Sequence, residues 1–170
     1  DSWIGYFSPR DNKWNEASNT TTFFFSEGWV NLMYEYAITN IFAPWIQLKN
    51  INMSGENPNK EMYAIAQISK IMGLHRSTDK FGPIPYKQVG NGSFTVEYDS
   101  QESVYRLFFE ELDEAVTVLY DFYMKANNTV PMASDVVYEG DVTKWIRLAN
   151  SLMLRLAIRV RYADEVLART

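Results

Sequence analysis

Residues 141–164, DVTKWIRLANSLMLRLAIRVRYAD, decide the fold class. Trp145, Leu148, Ala149, Leu152, Leu156 and Val160 recur at steps of three and four, which aligns them on one face of a helix. Thr143, Arg147, Ser151, Arg155 and Arg159 follow at four-residue steps on the neighbouring stripe. An aliphatic stripe beside a cationic edge describes a core helix. Its edge either faces water or pairs with an acidic run such as EELDE at 110–114; an anion or partner site is the alternative.

Working outward, three further helical patterns appear. From Gly28, Trp29, Leu32, Met33, Tyr36, Asn40 and Ile41 share the helical spacing, predicting a long helix kinked at Pro44. In GENPNKEM, Asn57 reads as an N-cap and Pro58 as the first helical residue, with Met62, Ile65, Ser69 and Met72 on one face and an end near Thr78. FGPIPY then forbids continuation. DSQE offers Asp99 as N-cap with Glu102 as its capping-box partner, opening a helix marked by Val104, Leu107, Phe108, Leu112, Ala115, Leu119 and Phe122. Residues 1–27 show no helical period and read as irregular, with a short strand expected near Thr21 to Phe25; residues 28–170 read as helical. Four helices alternating with loops predict an all-α protein of antiparallel helix pairs.

Composition narrows the function. A net charge of −5 over 170 residues argues against a nucleic-acid binder, which needs a basic face. With no Cys and a single His, His75, neither a thiol nucleophile nor a Cys/His metal centre can be assembled, and no cofactor motif occurs. His75 is expected near a helix C-terminus, where positive charge is favoured. Glu110, Glu111, Asp113 and Glu114 could supply a carboxylate pair for glycoside hydrolysis, yet neighbours on a helix diverge, and a solvated face is the simpler reading. No catalytic or metal residue is assigned. The opening at Asp1 and the close in ADEVLART, where a helical pattern is still running, suggest a piece of a longer protein.

Trp3, Trp14, Asn12 and Asn15 lie among rings and charges outside any helical stripe. Aromatic faces beside planar amides suit sugars, the rings stacking on pyranose C–H faces and the amides taking hydroxyls. The alternative is that these rings fill gaps against the helices. Aromatic residues make up 15% of the chain, a surplus that cores, interfaces and sugar-binding platforms could each account for.

Three motifs in order carry a resemblance. Gly82 with Pro85 and Tyr86; Glu102 to Asp113 in ESVYRLFFEELD; and Gly140-Asp141 with Lys144-Trp145 followed by ANSLMLR to Arg155 resemble the SusD/RagB family of outer-membrane nutrient-binding lipoproteins. The resemblance covers roughly residues 28–168 and implies a fold of tetratricopeptide-like helix pairs with long irregular loops, here the N-terminal portion of a longer domain. It further implies a non-catalytic, lipid-anchored cell-surface protein, the anchor lying outside this chain, that captures an oligosaccharide or other nutrient for a TonB-dependent, SusC-like transporter. In that reading Lys144, Trp145, Asn150 and Arg155 are structural. The competing expectation is a helical protein-interaction scaffold that binds no carbohydrate.

Overall fold

The computed structural model describes residues 10, 11, 13–125, 128–131 and 135–169, with the side chains of Trp14, Ala17, Thr20 and Met33 outside that set. The chain divides into two compact units, Asp1–Tyr36 and Ala37–Thr170.

In the first unit, 3₁₀ turns at Trp14–Ala17 and Thr20–Thr22 precede helix α1, Glu27–Ala37. The strand expected near Thr21 to Phe25 does not form. Asn19 Oδ1 accepts from the Thr21 N–H at 3.1 Å and its hydroxyl at 2.6 Å, and the Asn19 carbonyl accepts from the Phe24 N–H at 3.0 Å. This local turn occupies groups a strand would have paired.

The second unit holds α2 (Ala43–Met53), α3 (Lys60–Phe81), α4 (Gln101–Met124) and α5 (Val142–Val160). Instead of one kinked helix from Gly28, a π-helical turn, Ile38–Phe42, separates α1 from α2, and Pro44 stands at the start of α2. Proline lacks an N–H and its ring crowds the carbonyl four residues back, so a widened turn accommodates it.

Two N-caps differ from expectation. Asn59, not Asn57, caps α3, accepting from the Met62 N–H at 3.0 Å, because its own N–H reaches back to the Asn52 carbonyl at 2.7 Å and delays the helix start. The helix continues to Phe81, past Thr78, and Gly82 stops it at φ +74, a conformation that favours glycine. Ser100, not Asp99, caps α4 by accepting from the Ser103 N–H at 3.2 Å. Asp99 is committed elsewhere: its Oδ2 accepts from the Tyr86 and Lys87 N–H groups at 3.1 and 2.8 Å, and its backbone bridges to Ile84. Glu102 pairs with Arg106 rather than closing a capping box.

α5 starts where its hydrophobic pattern does. Asp141 caps the helix, accepting from the Thr143 and Lys144 N–H groups at 3.0 and 3.3 Å. The preceding turn is built around Asp135, which takes the N–H groups of Val137, Tyr138 and Gly140 and the Trp145 indole N–H at 2.7 Å. Burial alone would raise the pKa of Asp135, but these hydrogen bonds outweigh it and hold the carboxyl below its ordinary value. The helix ends at Val160, earlier than its pattern implied, because the Ala163 and Asp164 N–H groups both return to the Val160 carbonyl and Leu167–Arg169 forms a 3₁₀ turn.

Successive helices of the second unit, α2 to α5, run antiparallel. Trp45 of α2 meets Tyr63 of α3, and Met53 lies beside Lys60; on the other side Asp79 of α3 meets Tyr105 of α4 while Lys70 meets Glu111. Being flanked by both neighbours, α3 is buried around most of its circumference, so Ile65, Ile68, Ile71 and Leu74 are all inside whereas Met72 of the expected stripe is 44% exposed. Facing them are Val104, Phe108, Leu112 and Leu119 of α4. Each such side chain contributes about 1.5–3 kcal/mol relative to an exposed one. The α5 stripe behaves as read, with Trp145, Ala149, Leu152 and Leu156 buried. Its cationic edge is corrected in one respect. Arg159 pairs with Asp79 of α3 at 2.9 Å, and it is Lys70 of α3 that meets the acidic run of α4.

His75 is also corrected. It is buried at 3% exposure inside α3, with Nδ1 3.2 Å from the Ile71 carbonyl. Burial above all, with Arg155 nearby, lowers its pKa below 6.5, so the folded state favours the neutral ring.

Two outcomes are expected. Gly140 sits at φ +79, and an added Cβ would fall 2.1 Å from the Val130 carbonyl oxygen, so Gly140→Ala should destabilise by about 1–3 kcal/mol in urea unfolding. Because unfolded His75 takes a proton near pH 6.5 and the folded ring resists it, the unfolding free energy should fall as pH drops below 6.5, and His75→Leu should flatten that slope.

Candidate functional site

Of the four residues expected to contact ligand, Trp3 and Asn12 lie outside the described residues. Trp14 opens the 3₁₀ turn Trp14–Ala17, its side chain likewise outside them. Asn15 is exposed in a left-handed conformation at φ 51, and its Nδ2 donates to the Ser18 carbonyl at 2.7 Å. One amide donor is thus used locally. Farther along this unit, in the segment where a short strand was expected, the rings of Phe23, Phe24 and Phe25 are 74%, 47% and 64% exposed.

The second unit contains a buried polar centre. Lys70 enters from α3 with 1% of its side chain exposed, its Nζ 2.8 Å from Glu111 Oε2. The Tyr86 hydroxyl donates to the same oxygen. The ammonium also lies 4.1 Å from the Trp45 ring centroid and 4.6 Å from that of Tyr86. Burial lowers the Lys70 pKa, opposed by the adjacent Glu111, and burial with Glu111 raises that of Tyr86 well above 10, so the phenol keeps its proton.

Two of the hollows beside these helices, among the described residues, carry polar clusters. The larger, about 660 Å³, lies where the start of α4 meets the end of α5 and is lined by Asp79, Gln101, Tyr105, Arg159 and Asp164 among others. Its polar groups satisfy one another. The Tyr105 hydroxyl donates to Asp79 Oδ1 at 2.5 Å, Arg159 holds Oδ2, and Arg106 at the edge holds Asp164 at 2.5 Å. Burial and then the Asp79 bond push the Tyr105 pKa up to about 12, leaving a neutral phenol suited to hydrogen bonding rather than to nucleophilic chemistry.

The smaller hollow, about 200 Å³, is lined by residues of α2, α3 and α4 that include Tyr63, Gln67 and Glu111. Sequence reasoning missed this group. The one available signal was a glutamine placed between Ile65 and Ile68 in an otherwise apolar turn. The carboxylates considered for hydrolysis separate in role, since Glu110 and Glu114 are exposed while Glu111 is held by Lys70 and Tyr86.

Glu111→Gln removes the only anion touching the Lys70 ammonium among the described residues while preserving shape. Stranding a buried cation should cost about 3–5 kcal/mol, read as a lower urea midpoint, whereas Glu110→Gln on the exposed face should stay within about 0.5 kcal/mol.

Comparison with known proteins identifies the frame in which these features sit. The family model described as SusD-like, Susd and RagB outer membrane lipoprotein, matches residues 1–170. A solved chitin-binding SusD homolog from Flavobacterium johnsoniae is 33% identical with a TM-score of 0.85, covering 98% of this chain and 34% of that one. A SusD homolog from Bacteroides vulgatus ATCC 8482 is 32% identical at TM-score 0.76, covering 85% of this chain and 29% of its own. A SusD-like protein from Bacteroides thetaiotaomicron VPI-5482 is 28% identical at TM-score 0.76, covering 86% and 30%. No curated protein matches. The chain thus spans about a third of the length of the solved structures it matches. Its helix pairs are the tetratricopeptide-like helices of those proteins, and the chain belongs to the SusD-like family of outer membrane lipoproteins.

Proposed function

We propose that the protein containing this chain is a non-catalytic receptor on the outer-membrane surface, lipid-anchored, that captures an oligosaccharide and passes it to a TonB-dependent, SusC-like transporter. The observation that carries the reading is the match over 98% of this chain to a protein described as chitin-binding. A second solved relative, 29% identical over 89% of this chain, is also described as a chitin-binding protein. An anchored location is compatible with the helices, none of which, among the described residues, is long and apolar enough to cross a membrane.

Trp3, Asn12, Trp14 and Asn15 form the proposed sugar contact, with the exposed rings of Phe23, Phe24 and Phe25 extending the aromatic surface along the same unit. Stacked rings and amide hydrogen bonds give a surface that holds a glycan without activating its linkages.

The test is calorimetry of the intact protein against chitin oligosaccharides and a panel of plant and host glycans, with the solutions assayed afterwards for reducing ends. Saturable heat without new reducing ends is expected, and Trp14→Ala should weaken it about tenfold or more, the loss of one well-placed stacking ring. New reducing ends would make the protein a hydrolase. Absence of heat across the panel would leave the helical interaction scaffold as the better reading.

A further inference from the structure

The loop between α3 and α4 carries a residue pair whose chemistry the packing does not use. In Val89-Gly90-Asn91-Gly92-Ser93 an asparagine is followed directly by glycine, and no other asparagine of the chain has that neighbour. Asn91 and Gly92 are both exposed. Gly92 stands at φ +87, and nothing lies within 4 Å of the place a Cβ would occupy, so the approach to its backbone is open.

The local hydrogen bonds prepare this pair for reaction. Asn91 Oδ1 accepts from the Ser93 N–H at 3.0 Å, a turn that keeps the side-chain carbonyl beside the following peptide and draws electron density away from Cγ. The flanks are held as well, the Asn91 N–H by the Gln88 carbonyl at 3.3 Å and the Ser93 hydroxyl by the Thr95 carbonyl at 2.8 Å. Between them the Gly92 N–H makes no hydrogen bond among the described residues, and Asn91 Nδ2 donates none. A polarised carbon, an unengaged nitrogen and a leaving group thus stand on adjacent residues. Other asparagines lack the combination. Asn150 is also exposed, but the N–H of Ser151 after it belongs to the ladder of α5, and Asn57 precedes Pro58, which has no N–H.

We propose that Asn91 is a self-modification site, at which the loop converts the asparagine to isoaspartate and aspartate without an enzyme. The Gly92 nitrogen gives its proton to water and bonds to Asn91 Cγ. The Cγ–Nδ2 bond breaks and Nδ2 takes up a proton and leaves as ammonia, closing a succinimide ring. Water then opens the ring at either carbonyl, yielding aspartate on the original backbone or isoaspartate with the backbone rerouted through the side chain. Amide and water become carboxylic acid and ammonia, with nothing oxidised or reduced. The new carboxylate takes the formal net charge one unit below −5, and isoaspartate adds a methylene to the backbone of a loop that presents Phe94 and Tyr98 to solvent.

The experiment incubates the intact protein in heavy-oxygen water at mildly alkaline pH, digests it rapidly in ordinary water and analyses the peptides by mass spectrometry. Conversion during incubation leaves heavy oxygen in the new acid, whereas conversion during digestion does not. Electron-transfer fragmentation separates isoaspartate from aspartate. The expected result is labelled acid at Asn91, with isoaspartate present, while Asn150 keeps its amide. Gly92→Ala places a methyl group beside the attacking nitrogen at a positive φ, and it should slow the conversion by about tenfold or more. Circular dichroism melting confirms that the variant is folded.

An Asn91 amide that stays intact through the incubation overturns the proposal, as does acid that carries no heavy oxygen. Conversion at Asn150 as fast as at Asn91 overturns it too, because exposure alone would then set the rate. Labelled aspartate without any isoaspartate would mean direct attack by water, and the ring is rejected. An unchanged rate in folded Gly92→Ala removes the Gly92 nitrogen as the attacking group. If Gly92→Ala does not fold, the isoaspartate product decides by itself, since only opening of the ring yields it.

Discussion

The ammonium of Lys70 is the constraint on which the helical unit depends. A cation with 1% of its side chain exposed is tolerable only with an anion in contact, and Glu111 supplies it at 2.8 Å from forty-one residues further along the chain. Satisfying that one charge fixes the register of α3 against α4. The Tyr86 hydroxyl shares the same carboxylate oxygen, so the turn after α3 must bring Tyr86 back over the helix that ends there. Trp45 of α2 closes the site with its ring face. Replacing the cluster by aliphatic residues could preserve stability, since buried ion pairs often add little net energy; the loss would be in specifying which turn of one helix faces which turn of the next.

The same economy explains the signature turns. Asp99 collects the N–H groups of Tyr86 and Lys87, Asp135 those of three residues and an indole, and Asp141 those of the first turn of α5. Each carboxylate accepts from backbone groups that helix ends and tight turns leave without partners. Gly82 and Gly140 occur where the chain needs positive φ beside these acceptors. The motifs shared with the family therefore hold the scaffold.

Part of this was legible without coordinates. The α5 stripe, the break at FGPIPY and the all-helical class follow from periodicity and from the chemistry of proline and glycine, both of which act locally. The exceptions share a cause. Asp99 looks like a cap until Tyr86 and Lys87 claim it, and Asn57 looks like one until Asn59 is drawn back to the end of α2. The arginines of α5 invite pairing with the EELDE run, yet Lys70 has already taken Glu111. In each case two acceptable local partners competed, and a residue distant in sequence decided between them.

Sequence by itself determined the helices, their approximate limits and the family, because hydrophobic period and turn chemistry are properties of neighbouring residues. The tertiary structure alone decided which polar groups are inside. His75, expected near a helix C-terminus where positive charge is favoured, is buried and held toward the neutral form, Gln67 is buried with its Oε1 unpaired among the described residues, and Lys70 is the buried charge around which three helices are arranged. Burial is set by what packs from elsewhere in the chain, and the energy of a polar group depends on that burial more than on its own identity.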